Sequence, residues 1–280
     1  MTAYSEPPAL AVVIPCFNSA GTLRRCVESV LKSAEDCPRL EGVYLVDGGS
    51  TDETSALCRE LAAHPRVRII QHAPHSAAAK RNAALQQIEA DCLVFTDPDC
   101  VATPGWLKAF AEAAGTWSCC TGRVTPLSPG LSTAVRTSPV DYTYRPCLLW
   151  RAFAFRSGSS NNLMMERGLL QTVGGFPEDL GPGTPNGVAE DTEVLYRVLR
   201  EGIPIRYCAA AEVLHDHPET AEVYLRKKEL YGQGLSYFML KRYSADPATY
   251  LSLVVMMGHS MARVALNAAL LRSLRVRQAL

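Results

Sequence analysis

No charge of one sign prevails in this chain of 280 residues: 28 Lys and Arg offset 28 Asp and Glu. The totals therefore lack the basic excess by which proteins meet nucleic-acid phosphate, and no nucleic acid is expected as a partner. Residues 1–10 are polar and proline-bearing. They lack the basic start and long apolar run of a signal peptide. The 10 cysteines include no C-x-x-C pair, so the common zinc and thiol-redox spacings are missing. Several lie in apolar runs, where a thiol acts as a small hydrophobe. A reducing, cytoplasmic compartment suits them better than a disulfide framework. Internal repeats and low-complexity tracts are also absent.

What is present is ordinary globular composition, 48% hydrophobic and 20% charged, with length enough for one large core. Short apolar runs at 10–15, 43–47, 67–70 and 93–96 read as strands. Between them, Leu23, Val27, Val30 and Leu31 recur at helical spacing. Ser50 to Glu53 forms a capping-box pattern ahead of Leu57 and Leu61, and 76–88 reads as a third helix. This alternation predicts an α/β fold with a doubly wound, mostly parallel sheet flanked by helices. Residues 116–162 are less regular, with strands favoured. Residues 169–200 carry a glycine-rich loop and then a helix, and 219–242 reads as a further helix.

Ligands of doubly wound sheets bind beyond the carboxyl ends of the strands. Those ends carry Pro15-Cys16-Phe17-Asn18, then Asp47-Gly48-Gly49-Ser50-Thr51-Asp52, then Asp97-Pro98-Asp99, while Lys80-Arg81-Asn82 lies on the third helix. Carboxylates, basic groups and glycine turns on one edge suit a nucleotide diphosphate with a divalent cation between acids. Asp97 and Asp99 alone would be read first as a solvated turn, with Pro98 merely fixing the backbone. Their place after an apolar strand raises the value of the pair.

The string VVIPCFNSAGTLRRCVESVL is similar to the opening of family 2 glycosyltransferases. VDGGSTDET, AAKRNAAL, VFTDPDC, GSSNNLMMERGLLQTVGGFPEDLGPGTP, AEDTEVLYRVLREG and VLHDHPET follow in that family's order. The resemblance covers about 10–242 and implies a GT-A-like mixed sheet that binds a nucleotide-sugar donor. It implies that Pro15, Phe17 and Asn18 line the nucleotide pocket, that Asp47 contacts base or ribose, and that Arg81 lies near the nucleotide. It implies Mn2+ or Mg2+ on Asp99, with Asp97 supporting and His215 completing the site; His217 assists or faces solvent. Gly48 stands where the family commonly has a second aspartate, so UDP-sugar is expected only ahead of GDP- and dTDP-sugars. Asp191 matches the family's expected general base, with Glu190 orienting the acceptor; acids in a helix's first turn also simply suit its dipole. Displacement by one base implies inversion at the anomeric carbon.

Secondary candidates each have a plainer reading. Trp106 is either an acceptor platform or core packing at a helix start. Gly174-Gly175-Phe176 is either an acceptor-side segment or a helix C-cap. Residues 1–242 are expected to form the catalytic domain and 243–280 a helical extension. Within the extension, 251–274 is apolar, with His259, Arg263 and Asn267 as a polar stripe. That stripe suits packing on the domain, a second subunit of a homodimer, or the cytoplasmic face of a membrane. The expected function is inverting sugar transfer to a saccharide or lipid-linked hydroxyl, in surface polysaccharide, lipopolysaccharide or glycolipid synthesis. The alternatives are a nonenzymatic nucleotide- or glycan-binding protein and a sugar-phosphate nucleotidyltransferase. The latter needs an N-terminal glycine-rich phosphate loop, which 12–21 does not provide.

Overall fold

A computed structural model of the chain describes residues 7–71, 76–128, 137–216, 220–243, 245–249, 251 and 254. Strands and helices alternate first: β1 (Leu10–Cys16), α1 (Ala20–Ser33), β2 (Leu40–Asp47), α2 (Thr54–Leu61), β3 (Val67–Gln71), α3 (Ala77–Gln87) and β4 (Cys92–Thr96). The order then becomes mixed: β5 (Cys100–Ala102), α4 (Trp106–Ala113), β6 (Cys119–Pro126), β7 (Tyr142–Tyr144), α5 (Leu148–Ala152) and β8 (Asn162–Glu166). The described chain closes with α6 (Arg167–Thr172), α7 (Glu190–Arg200), β9 (Ile205–His215) and α8 (Ala221–Tyr243). One sheet results, in the order β3-β2-β1-β4-β8-β6-β9-β5, with β7 paired to β9. β1 is parallel to both β2 and β4, whereas β8 is antiparallel to its neighbours β4 and β6.

The central strands are apolar on both faces because helices cover both. Val12 and Ile14 pack with Leu23, Val27 and Val30 of α1 and with Trp106 and Phe110 of α4. Ala11 and Val13 point the other way, into a core shared with Phe95, Val194 and Leu195. The helix at 76–88 forms as expected: Ser76 Oγ accepts from Ala79 N at 3.1 Å and caps it. The capping box at Ser50 does not form. α2 starts at Thr54 with no side-chain cap, because Ser50 Oγ donates to the Asp47 carboxylate at 2.7 Å. A charged acceptor outcompetes a helix amide for that hydroxyl.

The chain runs outward from β1 through β2 to β3, then returns to β4 on the other side of β1. That reversal is the switch point where doubly wound sheets open a crevice. Pro15 sharpens it. β1 pairs with β2 as far as Cys16, but with β4 only from Leu10 to Val13. Proline lacks the N–H to continue a ladder.

A buried amide ties the second half of the sheet together. Asn162 Nδ2 donates to Arg123 O and to Ala211 O, both at 2.8 Å, and its Oδ1 accepts from Trp106 Nε1 at 2.9 Å. Trp106 is therefore core packing at the start of α4, and fully buried. Asn162→Ala is expected to leave three buried polar groups unsatisfied and to cost roughly 3 kcal/mol or more. Urea unfolding of the variant beside the parent chain measures this.

Gly174 and Gly175 follow α6 with φ of 80° and 68°. Gly175 N donates to Leu170 O at 2.9 Å, so this turn is the helix C-cap. Beyond α8, Tyr196 Oη donates to Asp246 at 2.9 Å. Of the apolar segment 251–274, all but Leu251 and Val254 falls outside the described residues, as does His217. Among the described residues no helix is long and apolar enough to cross a membrane.

Candidate active site

The sheet brings Asp99 and His215 together by register. β5 pairs antiparallel with β9, setting Cys100 opposite His215. Asp216 N donates to Asp99 O at 2.8 Å, closing the corner. His215 Nε2 consequently lies 3.5 Å from Asp99 Oδ1. Cis ligands of an octahedral cation held at 2.0–2.1 Å stand about 3 Å apart, so a small rotation lets this pair share one ion. Cys100 Sγ belongs to the same cluster, within 4.8 Å, but burial and the nearby Asp99 hold the thiol protonated. The Asp99 carboxylate offers the oxygen that Mn2+ and Mg2+ take, with the His215 imidazole nitrogen beside it.

Asp97 is held differently. Arg81 Nη2 donates to its Oδ1 at 2.9 Å, and Arg81 Nη1 donates to Glu190 Oε1 at 3.1 Å. Burial alone would favour a neutral guanidine, but Asp97 and Glu190 outweigh it and raise the Arg81 pKa. One buried cation thus joins the acid after β4 to the acid opening α7. Arg81, expected near the nucleotide, is 2% exposed and acts as this bridge.

Glu190 is 3% exposed. Burial, reinforced by the charge of Asp191 and relieved in part by Arg81, pushes its carboxyl up to about 7. Asp191, the next residue, is half-buried. Its carboxylate accepts from Thr192 N at 2.6 Å and, more weakly, from Ser160 N at 3.4 Å. Burial raises it also. The two acids therefore differ: Glu190 is engaged by Arg81, whereas Asp191 is the more exposed.

A raised folded-state pKa means that the native protein holds a proton the unfolded chain has released. Between about pH 4.5 and 7, stability from Glu190 should therefore fall as pH rises, and stay low above. Glu190→Gln keeps a hydrogen-bond acceptor for Arg81 but cannot ionise. Relative to the parent chain it should be better tolerated at pH 8 than at pH 5, by on the order of 2 kcal/mol. Denaturant titrations at the two pH values measure the difference.

Asp97, Asp99, Glu190, Asp191 and His215 all line one cavity of about 390 Å3, a size typical of small-molecule sites. Ser159, Ser160 and Asn161 line it from the turn before β8, and Lys227, Leu230 and Tyr231 from α8. The other predicted pocket residues sit at the end of β1. Phe17 is exposed, with Lys80 Nζ 5.4 Å from its ring centre. Asn18 takes φ of 48° and accepts from Thr51 N at 2.9 Å. Pro15 is built into β1. Asp47, expected at the base or ribose, is occupied within its own turn. It is 1% exposed and accepts from Ser50 and Ser55, bonds that outweigh burial and hold it below the usual carboxylate range. It shapes the turn in which Gly48 N donates to Cys16 O at 3.0 Å. Lys80, not singled out on its own by the sequence, is buried, donates to Cys16 O at 3.0 Å, and is lowered by burial to about 8.

Comparison with known proteins gives this arrangement a family. Residues 11–160 match the model of glycosyl transferase family 2. The chain is 28% identical over 244 residues to the pre-mycofactocin glycosyltransferase of Mycobacterium tuberculosis, covering 82% of this chain and 48% of that protein. It thus spans about half the length of that relative. It is 26% identical to glycosyltransferase AglE of Haloferax volcanii, covering 91% and 82% of the two chains. Among solved structures, S. aureus TarS in complex with UDP-GlcNAc superposes with a TM-score of 0.61 at 17% identity, covering 88% of this chain and 79% of that one. The mannosyltransferase PcManGT of Pyrobaculum calidifontis, in complex with GDP-Man and Mn2+, gives 0.57 at 19% identity, covering 95% and 81%. These share the GT-A fold. The family match takes in β1 from Ala11, the turn after β2, Arg81, Asp97 and Asp99, and it spans more than half of the residues; the chain belongs to glycosyl transferase family 2.

Proposed function

We propose that the chain is an inverting, metal-dependent glycosyltransferase that moves a sugar from a nucleotide-diphosphate sugar to a hydroxyl of a saccharide or lipid-linked acceptor. The observation that carries this reading is the single cavity shared by the Asp99–His215 pair and Asp191. Asp99 and His215 would hold the cation, whose charge supplies stabilisation to the departing diphosphate. Support for the cation comes from the Mn2+ bound with a nucleotide sugar in the structural neighbour PcManGT. The donor nucleotide would lie at the carboxyl ends of β1 and β2, where the end of the Pro15 ladder opens the sheet. Phe17 and Asn18 would border it, with the Asp47 turn as its floor.

Asp191 would accept the acceptor hydroxyl's proton, and its partial exposure leaves room for that hydroxyl. Glu190, held by Arg81, would orient the acceptor. One base acting without a covalent intermediate gives inversion. UDP-sugar is the first donor to offer, with GDP- and dTDP-sugars beside it. The test is release of free nucleotide from this donor panel with and without Mn2+, together with NMR assignment of the product anomer. Metal-independent turnover, a retained anomeric configuration, or no nucleotide binding at all would overturn the respective parts. The product would belong to a surface polysaccharide, lipopolysaccharide or glycolipid. The enzyme would work in the cytoplasm or at the cytoplasmic membrane face, with 243–280 as a helical extension available for membrane or subunit contact.

A further inference from the structure

The hydroxyl that Asp191 deprotonates must lie beside Asp191, so the acceptor is bounded by whatever wall adjoins that residue. That wall is α8. Val188, three residues before Asp191, donates its N–H to Leu230 O at 3.1 Å. The contact depends on two glycines that cross. A Cβ on Gly187, whose φ is +82°, would stand 2.5 Å from Gly234 N and from Leu230 O. A Cβ on Gly234 would stand 2.4 Å from Val188 N and O. Both glycines are buried. The lower half of α8 is fixed further by Tyr237 and Lys241, which both donate to Asp179. The half above the crossing carries Lys227 and Tyr231 into the cavity wall.

Those two side chains are unlike the rest of the lining. Tyr231 is the one aromatic and Lys227 the one Lys or Arg among the described lining residues, which otherwise include four carboxylates. Tyr231 is 41% exposed and so presents ring surface. Pyranose C–H faces stack on aromatic rings, and a lysine ammonium is a point charge suited to a phosphate oxygen.

We propose that α8 forms the acceptor subsite: Tyr231 stacks on a pyranose ring of the acceptor, Lys227 takes a phosphate oxygen within the same cavity, and the Gly187–Gly234 crossing sets both at their distance from Asp191. This rests on the glycosyltransferase reading of the cavity. The phosphate has two sources, the donor diphosphate and a phosphorylated acceptor, which the test separates.

The test is saturation-transfer NMR on the full chain with UDP and Mg2+ present. The probes are methyl glycopyranosides of glucose, galactose, mannose and N-acetylglucosamine, with glucose 1-phosphate beside them. Parent protein should bind at least one pyranoside. Tyr231→Ala should weaken that binding about five- to tenfold while Tyr231→Phe retains it, and both should bind UDP as the parent does. Lys227→Gln should weaken UDP if the phosphate is the donor's and glucose 1-phosphate if it is the acceptor's, with Lys227→Arg restoring either. Gly234→Ala should lower pyranoside binding, with UDP affinity falling as well only where Lys227→Gln lowers it. Equal pyranoside binding by Tyr231→Ala and parent, or no pyranoside binding by a protein that binds UDP, overturns the Tyr231 subsite. Unchanged UDP and glucose 1-phosphate binding by Lys227→Gln overturns the Lys227 contact. A parent chain that fails to bind UDP overturns the reading beneath the inference, and the inference with it.

Discussion

Asp191→Asn is expected to reduce transfer by about 100- to 10,000-fold, the range supplied by a general base, while affinity for nucleotide and Mn2+ stays within about twofold. The substitution is nearly isosteric. An amide oxygen still accepts from Thr192 N, whose bond to Asp191 measures 2.6 Å, so the start of α7 should persist. What vanishes is a group able to take a proton. Because burial raises Asp191, the parent enzyme should gain activity as pH rises until that carboxylate is ionised. The variant's residual activity should not follow that limb. Steady-state rates across pH, with nucleotide binding by calorimetry, measure both. Near-parental turnover in Asp191→Asn would remove this residue from the chemistry.

Asp99→Ala is expected to act on the other side of the cavity, and on binding as well as rate. Asp99 is 3.5 Å from the His215 imidazole, and the two form the oxygen–nitrogen pair assigned to the cation. Losing the carboxylate should weaken metal-dependent nucleotide binding and lower kcat/KM by about 100-fold or more. Added Mn2+ should recover part of the binding. Asp97→Ala should behave differently, because Asp97 contacts Arg81 and lies outside the close cluster of Asp99, Cys100 and His215. Its main effect should be an Arg81 guanidinium left with Glu190 alone. Calorimetric Mn2+ titrations of the two variants in the presence of UDP distinguish a direct ligand from a supporting charge. Equal metal affinity in Asp99→Ala and parent would exclude Asp99 as a ligand.

The sheet was largely legible because β1, β4 and nearly all of β2 are buried on both faces and read as apolar runs, while the edge strand β3 keeps Val67, Ile69 and Ile70 around an exposed Arg68. The sequence resemblance also ordered Asp97, Asp99, Asp191 and His215, and the fold brings all four to one cavity. What stayed hidden depends on distance along the chain. Arg81 joins partners 16 and 109 residues away, and no local pattern records such a bridge. Asn162 serves residues from three other parts of the chain and looks, in sequence, like any polar residue before a strand. The capping pattern at Ser50 is sound locally, but a buried carboxylate three residues earlier takes the hydroxyl. Tyr231 has no local signal, because the near half of α8 is largely exposed and shows no apolar stripe. Trp106, by contrast, drew attention that its full burial does not support.

Arg81 carries one further consequence. A single guanidinium serving two acids makes positions 97 and 190 interdependent although neither needs to touch the other. Neutralising either one hands more of the shared cation to the survivor, so the second substitution meets a changed background. Effects at these two positions should therefore depart from additivity, and tolerated sequence changes should arrive as compensated sets that include residue 81. With leaving-group chemistry proposed on one side of the cavity and proton abstraction on the other, this buried side chain would be the place where the two become a single heritable unit.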